Sequence, residues 1–108
     1  MEKLLFKVGK TYLFVKKSDI DLIKADRNYV KVYCRNRSFV IRNTLQSIEK
    51  KLDAEMFLRI NRSTIVNVDK INQLKGMENN NYFVILHNNE ILPWGRKYRK
   101  NLVKLIKL

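Results

Sequence analysis

The feature that most constrains the fold is rhythm: short apolar runs recur along the chain, each closed by polar punctuation. That spacing is the signature of many short strands. Residues 4–8 and 11–15 flank Gly9-Lys10, which reads as a tight hairpin. Ser18-Asp19 opens a connection into the run 20–25. Tyr29–Cys34 alternates, with Val30, Val32 and Cys34 on one face and Tyr29, Lys31 and Tyr33 on the other. Residues 35–37 make a turn, and 38–41 pair back as the next strand. Tyr82–Leu86 and Ile91–Trp94 flank His87-Asn88-Asn89-Glu90, a second hairpin signal, and Asn79-Asn80-Asn81 reads as a polar turn.

Two segments break the strand rhythm. Asn43 or Thr44 can N-cap a helix whose Leu45, Ile48 and Leu52 fall at helical spacing. Tyr98, Leu102, Leu105 and Ile106 follow i, i+4, i+7, i+8, so residues 97–107 read as an amphipathic C-terminal helix. Its other positions carry Lys97, Arg99, Lys100, Lys104 and Lys107, either a solvated face or a binding face. The expected fold class is mainly β, with one short internal helix and one terminal helix. A helix-turn-helix needs two adjacent helices and does not fit.

The chain has 108 residues, matching one domain over 1–108, and its hydrophobic fraction of 45% is enough for a core. Lys and Arg number 23 against 10 acids, a net charge of +13. Such an excess repels itself in a compact body unless a polyanion offsets it. Nucleic acid is the leading partner, ahead of a merely soluble basic surface or an anionic membrane. A single cysteine, Cys34, rules out an internal disulfide and fits a reducing compartment. In an alternating run it reads as a buried, inert thiol. No apolar run approaches membrane-spanning length, and MEKLLFKVG is too short in its apolar part for a signal peptide, so a cytoplasmic protein is expected.

Enzyme readings find little to work with. His87 is the only histidine and falls in a hairpin turn, and one His with one Cys cannot assemble a zinc site. A Ser-His-Asp or Cys-His arrangement would have to recruit that same residue. Gly9, Gly76 and Gly95 stand too far apart for a phosphate-cradling loop. The expectation is no catalysis, no metal and no cofactor. Basic residues offer more. Arg59 and Arg62 sit beside Asn61 and Ser63 in what reads as a connection, and Trp94-Gly95-Arg96 ends a strand just before the terminal helix. Arg pairs with the O6 and N7 of guanine and Asn with adenine, whereas Lys, Ser and Thr more often hold phosphates. Composition suggests a polyanion without choosing residues.

The segment 57–71, FLRINRSTIVNVDKI, narrows the choice. Phe57, Arg59, Asn61, Arg62, Ser63, Ile65, Val66, Asn67 and Ile71 follow the pattern F-x-R-x-H/N-R/N-S-x-I/V-V-N with an isoleucine four residues on. In this the chain resembles the LytTR family, DNA-binding output domains of bacterial response regulators related to LytR and AlgR. Residues 23–33 (IKADRNYVKVY) look like the family's strand, loop and strand, 43–52 like its first helix, and 92–98 (LPWGRKY) like its closing S-R-x-Y element. The likeness runs from about Leu4 to Leu108.

The resemblance implies an elongated antiparallel multi-sheet domain with short helices and loops that reach into successive DNA grooves, at sites often arranged as repeats. It implies base contacts from Asn28, Arg62 and Arg96, with Arg27 or Tyr29 as alternatives to Asn28. It implies backbone contacts from Asn43, Thr44, Asn61, Ser63 and Arg99. Much of the segment itself, Phe57, Ile60, Ile65, Val66 and Ile71, is expected to be core that positions the loop. Two departures stand out: Asn61 where many members have His, and Gly95 where many have Ser. No receiver domain or phosphoacceptor aspartate lies within these residues, so either this is an excised output domain or it acts without phosphorylation; a receiver domain or a homodimer mate is a further possible partner. The rival reading is a small RNA-binding or ribosome-associated protein, in which Tyr29, Tyr33 and Phe39 would stack single-stranded bases. A protein-interaction module whose basic helix docks an acidic partner is a third.

Overall fold

A computed structural model describes residues 2–105. Three antiparallel sheets account for its strands. β1 (Lys3–Val8) and β2 (Thr11–Lys16) form a hairpin that turns at Gly9, whose φ of 63° favours glycine. The central sheet takes β3 (Ile20–Asp26), β4 (Tyr29–Cys34), β5 (Ser38–Arg42), β6 (Phe57–Asn61) and β7 (Thr64–Asn67) in the order β5-β4-β3-β7-β6. The third sheet runs β10-β9-β8, from β8 (Ile71–Gly76), β9 (Tyr82–Leu86) and β10 (Ile91–Trp94). Helix α1 (Leu45–Glu49) links β5 to β6, and a 3₁₀ turn (Arg96–Tyr98) leads into α2 (Arg99–Val103).

The central sheet is covered on both faces. Ile23, Val30, Val32, Ile41, Phe57 and Ile65 pack beneath Phe6 and Val15 of the hairpin and Leu45 and Ile48 of α1. On the opposite face Leu22, Leu58, Ile60 and Val66 meet Val84, Leu86, Leu92 and Trp94 of the third sheet and Leu102 of α2. A register shift between Ile20 and Leu22 explains why Ile20 and Ile23, three apart, share one core. The stacked layers make an elongated body of 47 × 26 × 23 Å. Cys34 is half-buried against the first core, and burial pushes its thiol pKa up, with Arg37 opposing, so the reactive thiolate is disfavoured.

β4 occupies the residues that alternation predicts, and β9 and β10 the two runs that flank the 87–90 hairpin signal. Other expectations need correction. Arg59 lies in strand β6, not in a connection. The segment forms a hairpin whose β7 residues are all buried, and a strand covered on both faces loses its period-two alternation. Thr44, not Asn43, caps α1: its Oγ1 accepts from the Ser47 amide at 3.1 Å. The terminal helix is shorter than 97–107, since Lys97 and Tyr98 belong to the 3₁₀ turn and α2 closes at Val103, while Ile106 and Lys107 lie outside the described residues. No helix among the described residues is long and apolar enough to cross a membrane.

Candidate nucleic-acid interface

An antiparallel sheet sends every other chain reversal to the same end. Here that end collects the C-terminus of β5, the β3–β4 turn and the β6–β7 turn. Tyr29 pairs with Arg42, which sets Asn43 and Thr44 beside the Arg27-Asn28 turn. The Ala25 amide donates to the Ser63 carbonyl at 2.8 Å, joining that turn to Asn61-Arg62-Ser63. On the far side of β6 the Gly95 amide donates to the Ile60 carbonyl at 2.6 Å, which brings in Arg96. The structure thus gathers Asn28, Asn43, Thr44, Asn61, Arg62, Ser63 and Arg96, scattered over the sequence, into one row. Five strands about 4.8 Å apart give that row a width of about 19 Å, enough to face a major groove of about 12 Å and part of its neighbour.

The side chains in the row differ in freedom. Asn28, Arg62 and Arg96 are exposed. Ion pairs among the described residues join Lys24 to Glu90, Arg59 to Glu49 and Lys70 to Asp21, so Arg27, Arg62 and Arg96 face solvent without a carboxylate. Arg27 holds φ at 58°, a conformation costing a non-glycine residue on the order of 1 kcal/mol. Asn43, half-buried, accepts the Thr44 amide on Oδ1 at 2.8 Å, and its Nδ2 has no hydrogen-bond partner among the described residues. Thr44 uses its oxygen as the cap and keeps a hydroxyl proton to donate.

Asn61 is mainly an organiser. Its Nδ2 donates to the Pro93 carbonyl at 2.8 Å, and its Oδ1 accepts the Ser63 amide at 2.9 Å and the Ser63 hydroxyl at 3.2 Å. A Cβ at Gly95 would sit 3.3 Å from Asn61 Cβ, so the two departures from the family pattern touch each other. Arg99 is turned inward: it donates through Nη2 to the Asn80 carbonyl, and its guanidinium lies 5.7 Å from the Tyr82 ring centre. Arg59, which the sequence ranks with the outward cations, is drawn into the protein with a side chain only 12% exposed. Sequence reasoning also missed Trp94, whose indole donates to the Tyr98 carbonyl at 2.8 Å and anchors the turn carrying Arg96.

The aromatics invoked for RNA stacking do not form an open platform. Phe39 packs edge-on against Phe6 at 5.3 Å, and Tyr33 is half-buried between Lys24 and Lys31. Tyr29 alone of the three is well exposed. His87 is exposed in the β9–β10 turn, outside the row.

Comparison with known proteins bears on family and fold. Residues 10–107 match the family model of the LytTr DNA-binding domain. The chain is 33% identical over 104 residues to the sensory transduction protein LytT of Bacillus subtilis, covering 96% of this chain and 43% of that protein. It is 29% identical over 87 residues to the transcriptional regulatory protein LytR of Staphylococcus aureus, covering 81% of this chain and 35% of that protein. The chain therefore spans less than half the length of these relatives. A solved LytTr DNA-binding domain of a methyl-accepting/DNA response regulator from Bacillus cereus superposes with a TM-score of 0.80 over 94% of this chain and 97% of that one, at 24% identity, a likeness of fold. Match, relatives and fold agree: this chain belongs to the LytTr DNA-binding domain family.

Proposed function

We propose that the chain binds duplex DNA sequence-specifically and serves transcription regulation in bacteria, as the output domain of a response regulator in a two-component system. The observation that carries this reading is the single row of turns at one end of the central sheet, with Arg62 and Arg96 exposed and unpaired. Arg62, Arg96 and Asn28 read bases, and Arg27 stands ready beside Asn28. Asn43, Thr44, Ser63, Asn61 and Arg99 hold the DNA backbone, Asn61 with most of its hydrogen bonds committed to the protein and Arg99 with one. Catalysis has no part in this function. The DNA sites are repeated, a receiver domain or a homodimer mate is the protein partner, and the compartment is the cytoplasm.

Family membership supports duplex DNA over RNA, and so does the half-burial of Tyr33 and Phe39. The test is selection from random duplex DNA, followed by binding of variants to the enriched site. An enriched repeat is the expected result. Arg96→Ala should weaken that site by about 1–3 kcal/mol and relax preference at one position. Equal loss on selected and random duplex would reduce Arg96 to a phosphate contact. Preference for single-stranded RNA in competition would overturn the reading.

A further inference from the structure

Arg59 carries as much charge as Arg62 but spends it inside the protein. Its Nε donates to the Asn61 carbonyl at 2.9 Å, and its Nη2 donates to the Arg62 carbonyl. Its Nη1 donates to Glu49 Oε1 at 3.0 Å, reaching into α1, whose N-cap is Thr44. The guanidinium lies 5.4 Å from the Tyr98 ring centre, in the 3₁₀ turn that Arg96 begins. Its backbone carbonyl accepts from Asn101 Nδ2 of α2 at 2.8 Å. One residue therefore touches the loop presenting Arg62 and Ser63, the helix behind Asn43 and Thr44, and the turn presenting Arg96.

We propose that Arg59 is a positioning residue, a half-buried brace that fixes the spacing between the Arg62 loop and the Arg96 turn, and that base selectivity depends on it more than overall affinity does. The proposal rests on the DNA-reading function above. The β6–β7 ladder slips register between Arg59 and Asn61, and Arg62 lies in the turn beyond it; the Arg59 fork supplies donors to the carbonyls of both Asn61 and Arg62 across this irregular stretch. Only a planar fork with five donors reaches two carbonyls, a carboxylate and a ring face at once; a lysine ammonium is a point charge on a flexible stem. Bidentate pairing with a base tolerates errors of about 0.5 Å, whereas phosphate attraction is far more forgiving. A loosened loop should thus lose discrimination first.

Arg59→Lys keeps the net charge and separates these effects. On the selected duplex and on random duplex, over a series of salt concentrations, the expected result is a fall of about tenfold or more in the ratio of the two affinities, with the salt slope unchanged. Glu49→Gln, which keeps an acceptor on a partly exposed side chain, should lower the ratio by about two- to threefold. A ratio within twofold of wild type in Arg59→Lys would overturn the proposal. So would an equal loss on both duplexes with a shallower slope, because Arg59 would then be a phosphate contact.

Amide chemical shifts of the DNA-free protein supply the second arm. Arg59→Lys should move Arg62, Ser63, Arg96 and Lys97 together while Gly9 and Lys10 stay in place. Shifts confined to β6 would overturn the brace. If wild type prefers no duplex sequence, the DNA-reading function fails, and this arm still decides whether Arg59 couples the two loops.

Discussion

Asn67 shows how much a single side chain can hold. Fully buried, it donates through Nδ2 to the Ile20 carbonyl at 2.8 Å and accepts the Asp69 amide on Oδ1 at 3.0 Å. It thereby fastens the start of β3 to the turn between β7 and β8. Truncation strands a buried acceptor and a donor, each costing about 1–3 kcal/mol. Asn67→Ala should therefore lower unfolding stability by about 2–4 kcal/mol, read from the urea midpoint at constant m-value. A change below about 1 kcal/mol would mean that water replaces the amide. Asn28, Asn61 and Asn67 are one letter in the sequence and three jobs in the fold: an exposed turn tip, a loop organiser and a buried tie. Arg59 and Arg62 were equally indistinct. A residue type reports what a side chain can do, while direction depends on which strand face it occupies, and that is set by distant pairing.

Among the elements, the β6–β7 turn and the Gly95-Arg96 segment behave as one unit. Their shared contact is the tight approach of Asn61 to Gly95, at the two positions where this chain departs from its family's pattern. Gly95 has φ of −71°, so another residue is allowed by the backbone and resisted first by Asn61 and Tyr98, its nearest neighbours. In a cycle of Asn61→His, Gly95→Ser and the double variant, each single change should cost stability and the pair should cost less than the sum by about 1 kcal/mol. Additivity within about 0.3 kcal/mol would show that the two departures are independent. Element legibility follows the same logic of contact. β4 could be read because one of its faces is more exposed than the other, giving clean alternation. β6 and β7 could not, being covered on both sides, nor could β8, which half-buries only Ile71 and Leu74. The family motif marked Phe57, Ile60, Ile65 and Val66 as core where periodicity was silent, without making either run a strand.

Across the whole molecule the net charge of +13 rides on a body 47 Å long. Counterion release then dominates the affinity, and binding should weaken on the order of a hundredfold between about 50 and 200 mM salt. Arg99→Gln should weaken all duplexes alike and reduce the slope of log affinity against log salt by about 1. An unchanged slope would leave Arg99 as a purely internal tie between α2 and the β8–β9 turn, the role its hydrogen bond to Asn80 and its stacking on Tyr82 already describe. The architecture was foreseen as elongated and mainly β, and the site residues were named one at a time. Their assembly into a single row was not legible, because it follows from the order β5-β4-β3-β7-β6, a product of long-range pairing.

That strand order also gives the domain a back. Chain reversals not in the row, such as 35–37 with exposed Asn36, lie one strand length away, roughly 17–20 Å for the five or six residues of β4 and β5. A fluorophore carried there by Asn36→Cys would ride on the protein without meeting the nucleic acid, and its anisotropy would follow docking as it happens. The same separation offers protein engineers a permissive handle: a short insertion at the back lengthens one reversal and leaves the reading edge as it was.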